Sequence, residues 1–68
     1  MIKLGNYRHF KGNIYKVTAI AKNSETGEKF VVYHLVDAPD DIWVRPLAMW
    51  NETVERDGQT FLRFTELD

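Results

Sequence analysis

Apolar and polar positions alternate along the chain over short stretches that glycine, proline and Asn/Asp clusters interrupt. Half-buried β-strands need that pattern, because successive side chains point to opposite faces. Tyr7-Arg8-His9-Phe10 predicts a first short strand, ended by a Lys11-Gly12-Asn13 turn. Residues 14–22 predict a second, with Tyr15, Val17, Ala19 and Ala21 on one face. Lys16, Thr18 and Lys22 share the other face with Ile14 and Ile20. Residues 23–28 form a polar turn in which Gly27 takes positive φ without steric cost. Residues 29–37 predict a third strand. Its run Phe30-Val31-Val32-Tyr33 is apolar on both faces, as in a strand covered from both sides or at a bent corner. A loop through Pro39 leads to Ile42-Trp43-Val44-Arg45, a fourth strand with an exposed edge able to pair with a second copy. Pro46 stops it and opens one 3₁₀ or α turn carrying Leu47, Met49 and Trp50. Asp57-Gly58 predicts a two-residue hairpin turn, which places Val54 opposite Phe61 and Glu52 opposite Arg63.

The fold class that follows is all-β: a small, strongly bent antiparallel SH3-like barrel of five to six short strands. One short helical turn lies near residues 46–51. Helical spacing of apolar residues is sustained nowhere. At 68 residues the chain makes a single domain, 1–68, with residues 1–4 and 65–68 expected to fray at its ends. Nine aromatic residues and an apolar share of 44% are too rich for a disordered chain. So small a core needs most of them, and Trp50 is expected to close the open end of the barrel. Tyr15 is expected in the core, and Trp43 either there or on a contact surface.

Charge narrows the partners. The net charge is -1, without the basic excess of a duplex binder. Residues 1–34 nonetheless carry six Lys or Arg against two Glu, whereas residues 35–68 carry three Arg against eight Asp or Glu. A basic face of Lys3, Arg8, Lys11, Lys16, Lys22 and Lys29 would suit single-stranded nucleic acid, which makes that an alternative though not the favoured partner. The start of the chain lacks the apolar stretch of a signal peptide, and no run is long enough to span a membrane. A cytoplasmic location without membrane contact is expected.

Reactive chemistry is sparse. There is no cysteine, and the one serine, Ser24, sits in a polar turn. His9 and His34 lack metal-ligand spacing, so no metal and no cofactor are expected. Asp40-Asp41 lies in a Pro-containing loop, and Glu52 with Glu55 has little volume for a cleft between them. The four glycines stand singly in turns and make no phosphate loop. An enzyme is not expected. What remains is an aromatic and cationic set: Tyr7, Arg8, His9, Tyr33, Trp43 and Arg45. Tyr, Trp and Arg offer large rigid contact area with a polar tip, and aromatic faces receive cations or stacked bases. These six residues are the expected contact surface of a non-enzymatic binding module, a monomer or weak homodimer. Its ligand would be a protein, a peptide or a nucleotide-like molecule. A purely structural or assembly domain is a further alternative.

Several strings carry a family resemblance. They are Tyr7-Arg8-His9-Phe10-Lys11-Gly12-Asn13 with Tyr15 and Val17, Ala21-Lys22-Asn23-Ser24-Glu25-Thr26, and Val31-Val32-Tyr33. Trp43-Val44-Arg45-Pro46-Leu47 with Met49, Glu52-Thr53-Val54 with Asp57-Gly58, and Arg63-Phe64 complete the set. Together they span residues 5–64 and resemble the small bacterial family called domain of unknown function 1653. The resemblance implies a bacterial, intracellular β domain, stand-alone or fused, without known catalytic residues, and it supplies no ligand. Trp50 and Asn51 depart from it, since the family resembles Phe followed by an apolar residue or Glu there.

Overall fold

The computed structural model describes residues 2–67. Seven strands and one short helix follow in the order β1 (Gly5–His9), β2 (Ile14–Lys22), β3 (Lys29–Leu35), β4 (Trp43–Pro46), α1 (Leu47–Trp50), β5 (Thr53–Arg56), β6 (Gln59–Leu62) and β7 (Phe64–Glu66). Five strands form one antiparallel sheet in the order β4-β3-β2-β1-β7, and β5 pairs with β6 alone. The all-β class is as expected. The strand ladder, however, does not close into a barrel: β4 and β7 are its two edges.

Side chains span the gap that the backbone leaves. Four strand spacings of about 4.8 Å would hold β4 and β7 about 19 Å apart in a flat sheet. Instead the Arg45 guanidinium of β4 lies 5.7 Å from the Phe64 ring of β7. Trp50 stacks on the same ring at 3.7 Å with an interplanar angle of 2°. The sheet is therefore strongly curled, and its inner face is the core. Tyr7, Val17, Val31, Tyr33, Trp50 and Phe64 are buried there, with Ile2, Tyr15, Ile20 and Leu47 packed against them. Trp50 is 1% exposed and meets the edges of Tyr7 at 5.5 Å and Tyr33 at 5.0 Å, so it closes the open side as expected.

Three local expectations need correction. First, β2 does not keep one face along its length. Val17 opposes Tyr33 but Ala19 opposes Val32, so Thr18 is an extra residue that switches the alternation. Ile20 now points inward opposite Val31, and Ala19 and Ala21 are exposed. Second, residues 65–66 are paired in the sheet. They belong to β7, which pairs with β1 through Tyr7↔Glu66 and His9↔Phe64. Ile2 packs on the core, and Lys3 lies 3.8 Å from Glu66. Met1 and Asp68 fall outside the described residues. Third, Pro46 ends β4 opposite Phe30 rather than entering the helix. Its φ of -53° and ψ of 136° are extended, and the helix starts at Leu47.

The Asp57-Gly58 turn forms as predicted. Both residues have positive φ, 53° and 78°, the signature of a type I′ turn, and Val54 opposes Phe61. Glu52 and Arg63 meet just beyond the ladder, at 3.9 Å between side chains. The Arg63 N–H also donates to the Glu52 carbonyl at 3.1 Å.

Candidate functional site

Strand register decides which expected contact residues can meet. Tyr7 opposes Tyr15, Val17 opposes Tyr33, Tyr33 opposes Trp43, and Val31 opposes Arg45. Directly opposed residues share a face. Tyr7, His9, Tyr33, Trp43 and Arg45 therefore all project from the inner face, and Arg8 alone projects from the outer one.

Sharing a face is not sharing a surface. Tyr7 is 4% exposed and Tyr33 7%, so neither presents itself to a ligand, and both are corrected to core residues. Each is a tyrosine whose polar tip made exposure plausible. The Tyr7 hydroxyl instead donates to the Lys3 carbonyl at 2.7 Å, which makes its burial affordable. Trp43 goes the other way, to the surface. It is half exposed, at 52%, because β4 is an edge with no strand beyond it. Tyr15 lies between, half-buried and packed edge-on against Tyr33 at 5.4 Å.

Two residues that the sequence did not single out complete the site. Phe64 is its floor: His9 meets it edge-on at 5.0 Å, and Arg45 lies over it. Arg63, next to it in the chain, is placed by backbone bonds at the junction of hairpin and sheet. Its N–H reaches Glu52, and its carbonyl accepts from the Phe10 N–H at 2.9 Å. The Nε atoms of Arg45 and Arg63 are both buried without a hydrogen-bond partner among the described residues. Unpartnered buried donors are costly, and each one calls for an explanation.

Positive charge is concentrated at this mouth. Burial comes first in pushing the His9 pKa below its usual value, and Arg63, Lys11 and Arg45 add to the effect. His9 Nδ1 accepts a hydrogen bond from the Lys11 N–H at 3.2 Å, which assigns the proton of the neutral ring to Nε2. Lys11 and Arg56 lie 5.9 and 5.5 Å from the Phe10 ring, so the cationic set extends along the rim. At the other end of β1 the Tyr7 pKa is raised, chiefly by burial and then by Glu66, although its bond to Lys3 opposes the shift.

These two shifts bracket a stability plateau. The folded state resists protonating His9, so stability is full above the unfolded pKa of about 6.5 and declines as pH falls below it. It also resists ionising Tyr7, so stability holds below about pH 10 and is lost as pH rises further. Urea midpoints measured across pH are expected to show both limbs. His9→Gln should flatten the acid limb near pH 6, and Tyr7→Phe the alkaline one. An unchanged acid limb in His9→Gln would refute the assignment.

The remaining expectations are quickly placed. His34 is buried on the outer side opposite Lys16, its Nδ1 2.6 Å from the Leu35 carbonyl, so it does not meet His9. No metal-holding group of three or more His, Cys, Asp or Glu occurs among the described residues. Arg8 and Lys16 lie on the outer face, whereas Lys22 opposes Lys29 at the far end of the β2–β3 ladder. The six cations of the first half thus do not form one basic face. A depression of about 490 Å³ opens between Asn6, Gly12, Asn13, Ile14, Leu35 and Asp37, lined by neither cations nor rings. No helix among the described residues is long and apolar enough to cross a membrane.

Comparison with known proteins gives a family of unknown function. Residues 5–66 match the model described as "Protein of unknown function (DUF1653)", and the chain belongs to that family. A crystal structure of a DUF1653 protein from Bordetella bronchiseptica is similar to it, with 35% sequence identity and a TM-score of 0.84. The similarity covers 97% of this chain and 87% of the other. No protein of curated function matches.

Proposed function

We propose that this DUF1653 domain is a non-enzymatic binding module, and that it grips an anionic group at the mouth of the curled sheet. Arg45, Arg63 and His9 surround that mouth over Phe64, and Trp43 stands at its exposed rim. The observation that carries the reading is the convergence of Arg45 and His9 on the Phe64 ring, with Arg63 next to it in the chain, where two guanidinium Nε atoms are left without partners among the described residues. An arriving oxyanion would meet the outer nitrogens of these guanidiniums, through charge-assisted bonds stronger than neutral ones. Guanidiniums stay protonated at every physiological pH, so they hold an anion rather than exchange protons with it. Single-stranded nucleic acid has less support, because the cations that suggested it are divided between faces.

NMR of the full chain tests the reading directly. Titration with acetate, citrate, inorganic phosphate, sulfate and adenosine 5′-monophosphate should shift the Arg45 and Arg63 Nε–H signals with at least one anion. Phe64 and His9 should shift with them. Arg63→Met should weaken that binding about tenfold while the domain still melts cooperatively. Nε–H signals that stay still in every titration defeat the proposal.

A further inference from the structure

Charge bookkeeping and the position of Trp43 say more about the ligand, on the premise that the mouth is the binding site. Burial first, and then Arg63, Lys11 and Arg45, lower the His9 pKa, which favours its neutral form. Glu52 approaches Arg63 at 3.9 Å and offsets one positive charge. With Arg56 on the rim beside Lys11, the local balance is close to +3. A carboxylate would neutralise about a third of it, whereas a phosphate monoester, at about -1.5 to -2 near pH 7, neutralises half or more. Two guanidiniums also suit the three terminal oxygens of a phosphoryl group, which can take forked donors from two sides.

Trp43 supplies the second half of the argument. It stands two residues before Arg45 on β4, on the same face and about 7 Å away along the strand. It is half exposed although its ring is the largest apolar surface on that edge. Trp50 fills the core position by itself, so packing does not require Trp43. An exposed ring one side-chain step from an anion site is a stacking platform for a flat group.

We propose that the mouth binds a nucleoside monophosphate: the phosphoryl dianion lies between Arg45 and Arg63, and the base stacks on the Trp43 ring. No bond is made or broken. Arg45 and Arg63 set affinity for the phosphoryl group, and Trp43 adds preference for an attached aromatic base.

The full chain is titrated with adenosine 5′-monophosphate, inorganic phosphate, adenosine and benzoate, with tryptophan fluorescence and Arg Nε–H shifts as readouts. The monophosphate is expected to quench Trp43 and to bind at least tenfold more tightly than phosphate or adenosine alone. Trp43→Ala should reduce its affinity to the level of phosphate. Since Trp43 is half exposed and lies outside the core cluster, that variant is expected to keep its fold, which its thermal transition verifies. Arg45→Gln should weaken the monophosphate and phosphate about tenfold each and leave adenosine unchanged. If benzoate or another carboxylate binds the mouth more tightly than the monophosphate, this assignment is overturned while the binding reading survives. If phosphate binds but the base adds nothing, the stacking role of Trp43 is overturned. If none of the four moves the Arg45 and Arg63 signals, the proposal falls, and the failure of every anion in the wider panel would take the binding reading with it.

Discussion

Trp50→Ala is expected to remove about half or more of the domain's folding stability at 25 °C. The indole is 1% exposed and touches three other core rings: Tyr7, Tyr33 and Phe64. It also does a job that backbone does elsewhere, because β4 and β7 are not hydrogen-bonded and Trp50 spans the opening between them. Removing a buried Trp costs about 3–5 kcal/mol. A chain of this size holds roughly 3–10 kcal/mol in all, at about 0.05–0.15 kcal/mol per residue. Urea unfolding followed by circular dichroism should give a midpoint less than half that of the parent, or no transition. Trp50→Phe is the informative control. Its Nε1 has no hydrogen-bond partner among the described residues, so phenylalanine loses volume but also removes an unpaired buried donor. A cost of about 1 kcal/mol or less is expected. A Trp50→Ala protein within 1 kcal/mol of the parent would show that Trp50 does not close the sheet.

That control bears on what the sequence makes legible. Trp50 could be assigned to closure because it follows a proline-stopped strand on a turn too short to stand alone. The hairpin was legible for a stronger reason: Asp57-Gly58 is one of the few dipeptides that accept positive φ twice, and both residues adopt it. β7 was not legible. Nothing in Leu62-Arg63-Phe64 marks the end of one strand and the start of another. The break is made by a distant partner, since the Arg63 carbonyl accepts from Phe10 and the next residues then pair with β1. Barrel closure misled for a related reason. The sequence shows how many strands can form and not whether the last edge finds the first.

Of the proposed site, about half is legible in the sequence. His9, Trp43 and Arg45 stand at the mouth, as types that combine rings with cations suggest. Tyr7 and Tyr33 share their face but lie deeper, because the curl of the sheet buries whatever sits near its middle. Composition alone cannot separate these two groups: both alternate correctly, and only depth differs. Arg63 and Phe64 are not legible as contact residues, because in the sequence Arg63 has a sufficient role as the partner of Glu52 and Phe64 has none beyond its place in the family strings. Their adjacency was the available signal. A cation beside an aromatic at a strand junction places one at the surface and the other beneath it.

The other large effect tests the bulge at Thr18, which no glycine announces. In an unbroken β2, Ala19 would share the inner face with Tyr15 and Val17, and Ile20 would face solvent. In the structure Ile20 packs on the core and Ala19 is exposed. The two readings make opposite predictions for one pair of substitutions. Ala19→Asp should change stability by no more than about 0.5 kcal/mol, the ordinary range for a surface position. Ile20→Asp should cost about 3 kcal/mol or more, because it removes an apolar side chain from the core and drives a carboxylate toward the space it occupied. Since a carboxylate protonates more readily where it is desolvated, the Ile20→Asp penalty should shrink as pH falls toward 4. The Ala19→Asp protein should show no such trend. Urea midpoints of both variants at pH 7 and pH 4 decide the matter. If Ala19→Asp proves the damaging change, Thr18 pairs in register and the inner face of β2 runs without a break.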